Sequence, residues 1–157
     1  MMISQKHFDV LDLLLDCLQG MSDPWALTGS LGMALQGVPL DVHDIDLQSS
    51  ADGAYAIAGR LAEYVRQPVY WRESERIRSH FGALEIDGLQ VEIMGGVQKR
   101  LPDGSWEAPV DVAQQRIWIP FGERQAPVLS LEHEARAYEL IGRLEKAQRL
   151  REFLQHG

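Results

Sequence analysis

Residues 25–48 read Trp25-Ala26-Leu27-Thr28-Gly29-Ser30-Leu31-Gly32-Met33-Ala34-Leu35-Gln36-Gly37-Val38-Pro39-Leu40-Asp41-Val42-His43-Asp44-Ile45-Asp46-Leu47-Gln48. Trp25 to Thr28 is a short apolar strand that runs straight into Gly29-Ser30. Residues 31–37 follow as a short helix, stopped by Gly37 and Pro39. His43 to Gln48 alternates polar and apolar side chains, the period of a strand with one buried face. A strand, a glycine turn, a short helix and a second strand are thus packed closely together in the chain.

Working outward, residues 5–19 place Phe8, Leu11, Leu14, Leu15 and Leu18 at helical spacing, ending at Gly20. Residues 52–66 form a second amphipathic helix, closed before Pro68. Val69-Tyr70-Trp71 reads as a strand. Residues 77–86 and 89–94 read as two strands joined at Asp87-Gly88, a hairpin dipeptide. Gly95-Gly96 follows, and residues 97–115 read as irregular. Ile117-Trp118-Ile119 is a short strand. Ser130 caps a long C-terminal helix over 130–155, whose apolar stripe runs from Ala137 to Leu154. The expected fold class is α+β (mixed α/β): a central mixed β-sheet flanked by helices, with a long C-terminal helix.

At 157 residues the chain has the length of one domain, 1–157, with no repeat or low-complexity tract. Apolar residues at 45% and charged residues at 24% are ordinary globular values, which excludes a disordered, collagenous or coiled-coil chain. The net charge of −8 argues against long nucleic acid and anionic membranes as partners, because both need a basic surface. The single cysteine, Cys17, excludes an internal disulfide and a cysteine-rich zinc site. It reads as a small buried hydrophobe. No stretch has the length and polarity of a membrane span, and a cytoplasmic location is expected.

Three acidic residues fall on these strands. Asp44 and Asp46 are two apart, so on a strand both project from one face. Glu92 lies between Val91 and Ile93 and faces away from both. If the two strands are neighbours, three carboxylates converge, and their repulsion calls for cations. Hard oxygen donors suit Mg²⁺ or Mn²⁺, and a pair of such ions can serve an in-line phosphoryl displacement. Upstream, Gly29 lets the backbone approach a ligand closely, and Ser30 offers a hydroxyl beside the free N–H groups of a helix start. Together these are the parts that handling of a nucleoside triphosphate (NTP) needs.

Leu27-Thr28-Gly29-Ser30, Gly37, Asp44-Ile45-Asp46-Leu47 and Val91-Glu92-Ile93, in that order, resemble the polymerase-β-like nucleotidyltransferase superfamily. The likeness covers residues 24–96, the expected catalytic core, and is greatest to small single-domain members such as minimal, lincosamide and aminoglycoside nucleotidyltransferases. The resemblance implies metal-dependent transfer of a nucleoside monophosphate from an NTP, ATP foremost, to a hydroxyl of an acceptor, with release of pyrophosphate. It implies that Gly29 and Ser30 hold phosphates and that Asp44, Asp46 and Glu92 are catalytic residues and ligands of two Mg²⁺ or Mn²⁺ ions. Glu92 also stands as a base for the acceptor hydroxyl, and it replaces the more common Asp of the family. The implied partners are an NTP and a small-molecule acceptor, with a protein partner or a homo-oligomer open.

The C-terminal stretch departs from the pattern. Relatives carry a Lys ahead of an Arg-x-Lys-Asp cluster; here Tyr138 stands at the Lys position, Arg143 is kept, and the Lys-Asp pair is absent. The alternative reading is therefore a catalytically degenerate nucleotide-binding or antitoxin-like regulatory module acting with a protein partner. Lys99, with Arg100, is a further candidate nucleotide contact after the Gly95-Gly96 bend, against a solvated loop. Trp106 is a candidate stacking surface for a base or acceptor ring. His43 reads as a surface histidine, and Arg72, Arg76 and Arg78 as an ion-pairing face.

Overall fold

The computed structural model describes residues 3–156. Helix α1 (Gln5–Cys17) begins at Ser4, whose hydroxyl accepts from the His7 amide, and it buries Val10, Leu11, Leu14 and Leu15. Burying a leucine of this kind stabilises by about 1.5–3 kcal/mol. Strand β1 (Trp25–Thr28) runs into α2 (Gly29–Leu35), and β2 (Ile45–Ser49) leads into α3 (Ala51–Arg60), capped by Ser50. Then come β3 (Val65–Glu73), β4 (Ile77–Ile86) and β5 (Leu89–Lys99). A short helix α4 (Val112–Gln115) precedes β6 (Arg116–Phe121) and β7 (Arg124–Leu129), and the chain ends in α5 (Leu131–Leu140) and α6 (Leu144–His156).

The seven strands form one sheet in the order β3-β4-β5-β2-β1-β7-β6. Pairs β2–β5 and β1–β7 are parallel and the others antiparallel, so the sheet is mixed, as expected from the sequence. Ile45 and Leu47 of β2, Val91 and Ile93 of β5, and Leu27 of β1 enter one main core with α1 and α3. The intervening residues Thr28, Asp46 and Glu92 are thereby committed to the other face. Asp87 and Gly88 both take positive φ (52° and 79°), the geometry of the tight hairpin turn read from that dipeptide.

Several elements differ from the sequence reading. The C-terminal segment is two helices rather than one long helix. Gly142, at φ +83°, follows α5; its amide bonds to Glu139 O and the Arg143 amide bonds back to Tyr138 O. This is a Schellman stop, which closes the helix with its own orphan carbonyls. The second helix ends at Arg60, not at residue 66, and β3 starts at Val65 and takes in Pro68. Gly95-Gly96 does not end β5. A side chain at Gly95 would collide with Ser50 O and Ala54, so the glycine lets α3 lie on a continuing strand. The segment read as irregular therefore contributes strand residues through Lys99 and the helix α4. Strand β7 went unread because Pro127 interrupts its pattern, yet it lies parallel to β1. Among the described residues no helix is long and apolar enough to cross a membrane.

Candidate active site

The register of three adjacent strands assembles the site. Thr28 of β1 lies opposite Asp46 of β2, and Asp46 lies beside Glu92 of β5. The neighbouring strands assumed from the sequence are thus adjacent, and the two carboxylates stand side by side. Asp44 sits just ahead of β2 and is exposed. Burial, the charge of Glu92 and a hydrogen bond shared with it, and then the charges of Asp44 and Glu134, push the Asp46 carboxyl up from 3.8 to about 8. Asp46 therefore keeps a proton at neutral pH. Gln90 donates from Nε2 to Glu92 Oε2 at 2.9 Å. Among the described residues, no three His, Cys, Asp or Glu side chains converge tightly enough to ligate one ion as they stand.

Gly29 is a structural necessity of the turn. Its φ is +68°, and a Cβ there would collide with the Asp46 carboxylate. Only glycine lets that carboxylate lie against the turn. The Gly29 amide is already used, however: it donates to Glu134 Oε2 at 3.2 Å. Thr28 Oγ1 donates to Glu134 Oε1 at 2.6 Å. Ser30, the next residue, lines the cleft.

That cleft has a volume of about 830 Å³. Gly29, Ser30, Asp44, Asp46 and Glu92 line it from the sheet and α2. Tyr138, Arg143, Lys146 and Arg149 line it from the C-terminal helices. Met33, Val38, Leu40 and Phe153 add an apolar surface. The cleft exists because a second small core, Met33 with Leu131, Ala135 and Leu150, docks α5 and α6 onto α2. Arg143 stands just ahead of α6, and Lys146 and Arg149 within it are three residues apart, on one helix face. The Lys146 ammonium lies 5.5 Å from the centre of the Tyr138 ring. A cation from the following helix thus stands beside this tyrosine.

The remaining sequence candidates lie elsewhere. Lys99 is 3% exposed, paired with Glu107 at 2.8 Å, and lines a separate cavity of about 320 Å³ with His133 and Arg136. The Trp106 ring carries the Arg78 and Arg100 guanidiniums, each 4.3 Å from its centre, and does not line the cleft. Arg72 lies over Phe81, 4.5 Å from its centre, and Arg78 reaches Gln98 and Glu73. His43 is exposed at the cleft margin. Cys17 is half-buried against the main core. Sequence reasoning missed Glu134, which is buried and pushed up to about 7 by that burial against the pull of its hydrogen bonds and Lys99. Its one sequence signal is a glutamate on the buried stripe of a capped helix, four residues before Tyr138.

Comparison with known proteins agrees with the fold. The aminoglycoside-2''-adenylyltransferase family profile matches residues 10–153. A putative nucleotidyltransferase from Thermotoga maritima is 46% identical; the match covers 99% of this chain and 97% of that one, with a TM-score of 0.86. The lincosamide antibiotic adenylyltransferase LnuA, solved with lincomycin, is 17% identical over 96% of this chain and 98% of its own, TM-score 0.60. ANT(2'')-Ia, solved with adenylyl-2''-tobramycin, is 14% identical over 97% and 98%, TM-score 0.57. The last two share the fold. No curated protein sequence matches the chain. Spanning nearly its whole length, these matches show that the chain belongs to the aminoglycoside-2''-adenylyltransferase family, within the nucleotidyltransferase superfamily.

Proposed function

We propose that this protein transfers the nucleoside monophosphate of ATP to a hydroxyl of a small-molecule acceptor, with divalent cations held by Asp44, Asp46 and Glu92. Family membership and fold support nucleotidyl transfer in general. The observation that carries the finer reading is the Asp46–Glu92 pair, two half-buried carboxylates in register on adjacent parallel strands, whose closeness and burial raise the Asp46 carboxyl. The donor set fits Mg²⁺ or Mn²⁺, since all three side chains offer hard oxygens and a turn of exposed Asp44 would complete it. When bound, such cations neutralise charge on the attacking and leaving oxygens.

The protein's own groups supply the rest. Ser30 donates its hydroxyl to a phosphate oxygen. Arg143, Lys146 and Arg149 meet the triphosphate across the cleft and stabilise the departing pyrophosphate. The acceptor oxygen bonds to the α-phosphorus as the bond to the pyrophosphate oxygen breaks, and the hydroxyl proton passes to Glu92. The antibiotic adenylyltransferases of the same fold favour a small polyhydroxylated acceptor over a polymer. The test is pyrophosphate release from ATP and MgCl₂ with a panel of aminoglycosides, lincosamides and simple sugars. Turnover should vanish in Asp44→Ala and Asp46→Ala while both still fold. Magnesium-dependent ATP binding retained in both variants would sink the assignment of the metal ligands.

A further inference from the structure

Glu134 is 5% exposed and does not line the cleft, yet both its oxygens are spent on the residues that lead into it. Oε1 accepts from the Thr28 hydroxyl at 2.6 Å and Oε2 from the Gly29 amide at 3.2 Å. These residues precede Ser30, and Gly29 is the one whose left-handed backbone makes room for the Asp46 carboxylate. The contact spans 106 positions in sequence, so it ties the C-terminal helices to the turn at the end of β1. Burying a carboxylate is costly unless hydrogen bonds compensate it. The two bonds here also fix a backbone corner from which two functional side chains are aimed.

We propose that Glu134 is a positioning residue: it clamps the Thr28–Gly29 corner so that Ser30 faces the nucleotide and Asp46 lies against Gly29. The inference rests on the nucleotidyltransferase reading of the cleft. Glu134 acts through geometry rather than through contact with substrate. A neutral isostere should therefore serve, because the Gln oxygen can accept from Gly29 N–H while its amide donates to the Thr28 oxygen. Alanine can do neither. A misplacement of about 1 Å can cost on the order of 100-fold in a positioned site.

The test uses the full chain, MgCl₂ and a nonhydrolysable ATP analogue, read by calorimetry, with the Gly29 amide followed by NMR and hydrogen exchange. Glu134→Ala should weaken analogue binding at least about 10-fold and deprotect the Gly29 amide, whereas Glu134→Gln should restore both to within about threefold of the parent. Thr28→Val, which removes one of the two bonds and keeps the side-chain shape, should fall between them and serves if the alanine variant does not fold. If the parent binds the analogue and Glu134→Ala or Thr28→Val binds it equally well with a protected Gly29 amide, the clamp is refuted and the site reading stands. If Glu134→Gln is as impaired as the alanine variant, charge and not position is what matters, and the proposal fails. If the parent itself shows no binding, the nucleotide reading fails and takes the clamp with it.

Discussion

The most discriminating perturbation is Asp46→Asn, because the same residue should weaken the fold and be needed by the site. Asp46 moves from 3.8 to about 8 on folding. Between these values the folded protein holds a proton that the unfolded chain has released, so the residue opposes folding more strongly as the pH rises through this window. At about 1.4 kcal/mol per unit the ceiling is about 6 kcal/mol above pH 8, and at pH 5 the cost is still under about 2 kcal/mol. Asparagine stays neutral, and its amide can donate to Glu92 as the protonated carboxyl does. The variant should gain about 2–4 kcal/mol at pH 8.5 and about 1 kcal/mol at pH 5. For a chain of this length that corresponds to a Tm higher by about 5–12 °C at pH 8.5. Adding MgCl₂ at pH 8.5 should raise the Tm of the parent and leave that of the variant unchanged, since only the parent has the ligand to offer. Thermal melts at the two pH values, with and without MgCl₂, make the measurement. A variant less stable than the parent at pH 8.5, or a difference independent of pH, would refute the view of Asp46 as a strained carboxylate awaiting a cation.

Gly29→Ala carries a left-handed backbone penalty of about 1–2 kcal/mol and a collision with the Asp46 carboxylate. It should lower Tm by at least about 3 °C and abolish binding of the ATP analogue, as followed by melting and calorimetry; an unaltered affinity would show that Asp46 need not rest on the turn. Lys99→Met strands Glu107, its partly buried partner, and should cost about 1–3 kcal/mol in urea denaturation. The same variant should leave analogue affinity unchanged, because Lys99 lines a different cavity; a 10-fold loss of affinity would return Lys99 to the nucleotide site.

The two strands that carry the carboxylates were legible because their apolar residues alternate with Asp46 and Glu92. Burial of Ile45, Leu47, Val91 and Ile93 on one face leaves the acids no other side to occupy. The turn was legible for a different reason: a glycine before a serine between strand and helix has few other uses. What failed was local punctuation whose meaning depends on a partner. Gly95-Gly96 reads as a break until α3 is seen lying on the strand, and Pro127 reads as a breaker until β7 is seen beside β1. Gly142 could have been read as a helix stop, yet the apolar stripe continues across it from Tyr138 to Leu150, so periodicity alone joined two helices into one.

By itself the sequence determined the fold class, the strand–glycine–helix–strand unit and the placing of Asp46 and Glu92 on one sheet face, since these follow from side-chain alternation over a few residues, whereas Asp44 lies just ahead of β2 and outside that alternation. Only the tertiary structure decided what completes the site. Docking of α5 and α6 onto α2 brings Arg143, Lys146 and Arg149 to the cleft, places Lys146 over Tyr138, and buries Glu134 against Thr28 and Gly29. The return of the chain after β5 separately pairs Lys99 with Glu107. The Glu134 contacts join residues 105 and 106 positions apart, and no local pattern encodes which buried glutamate will find which amide.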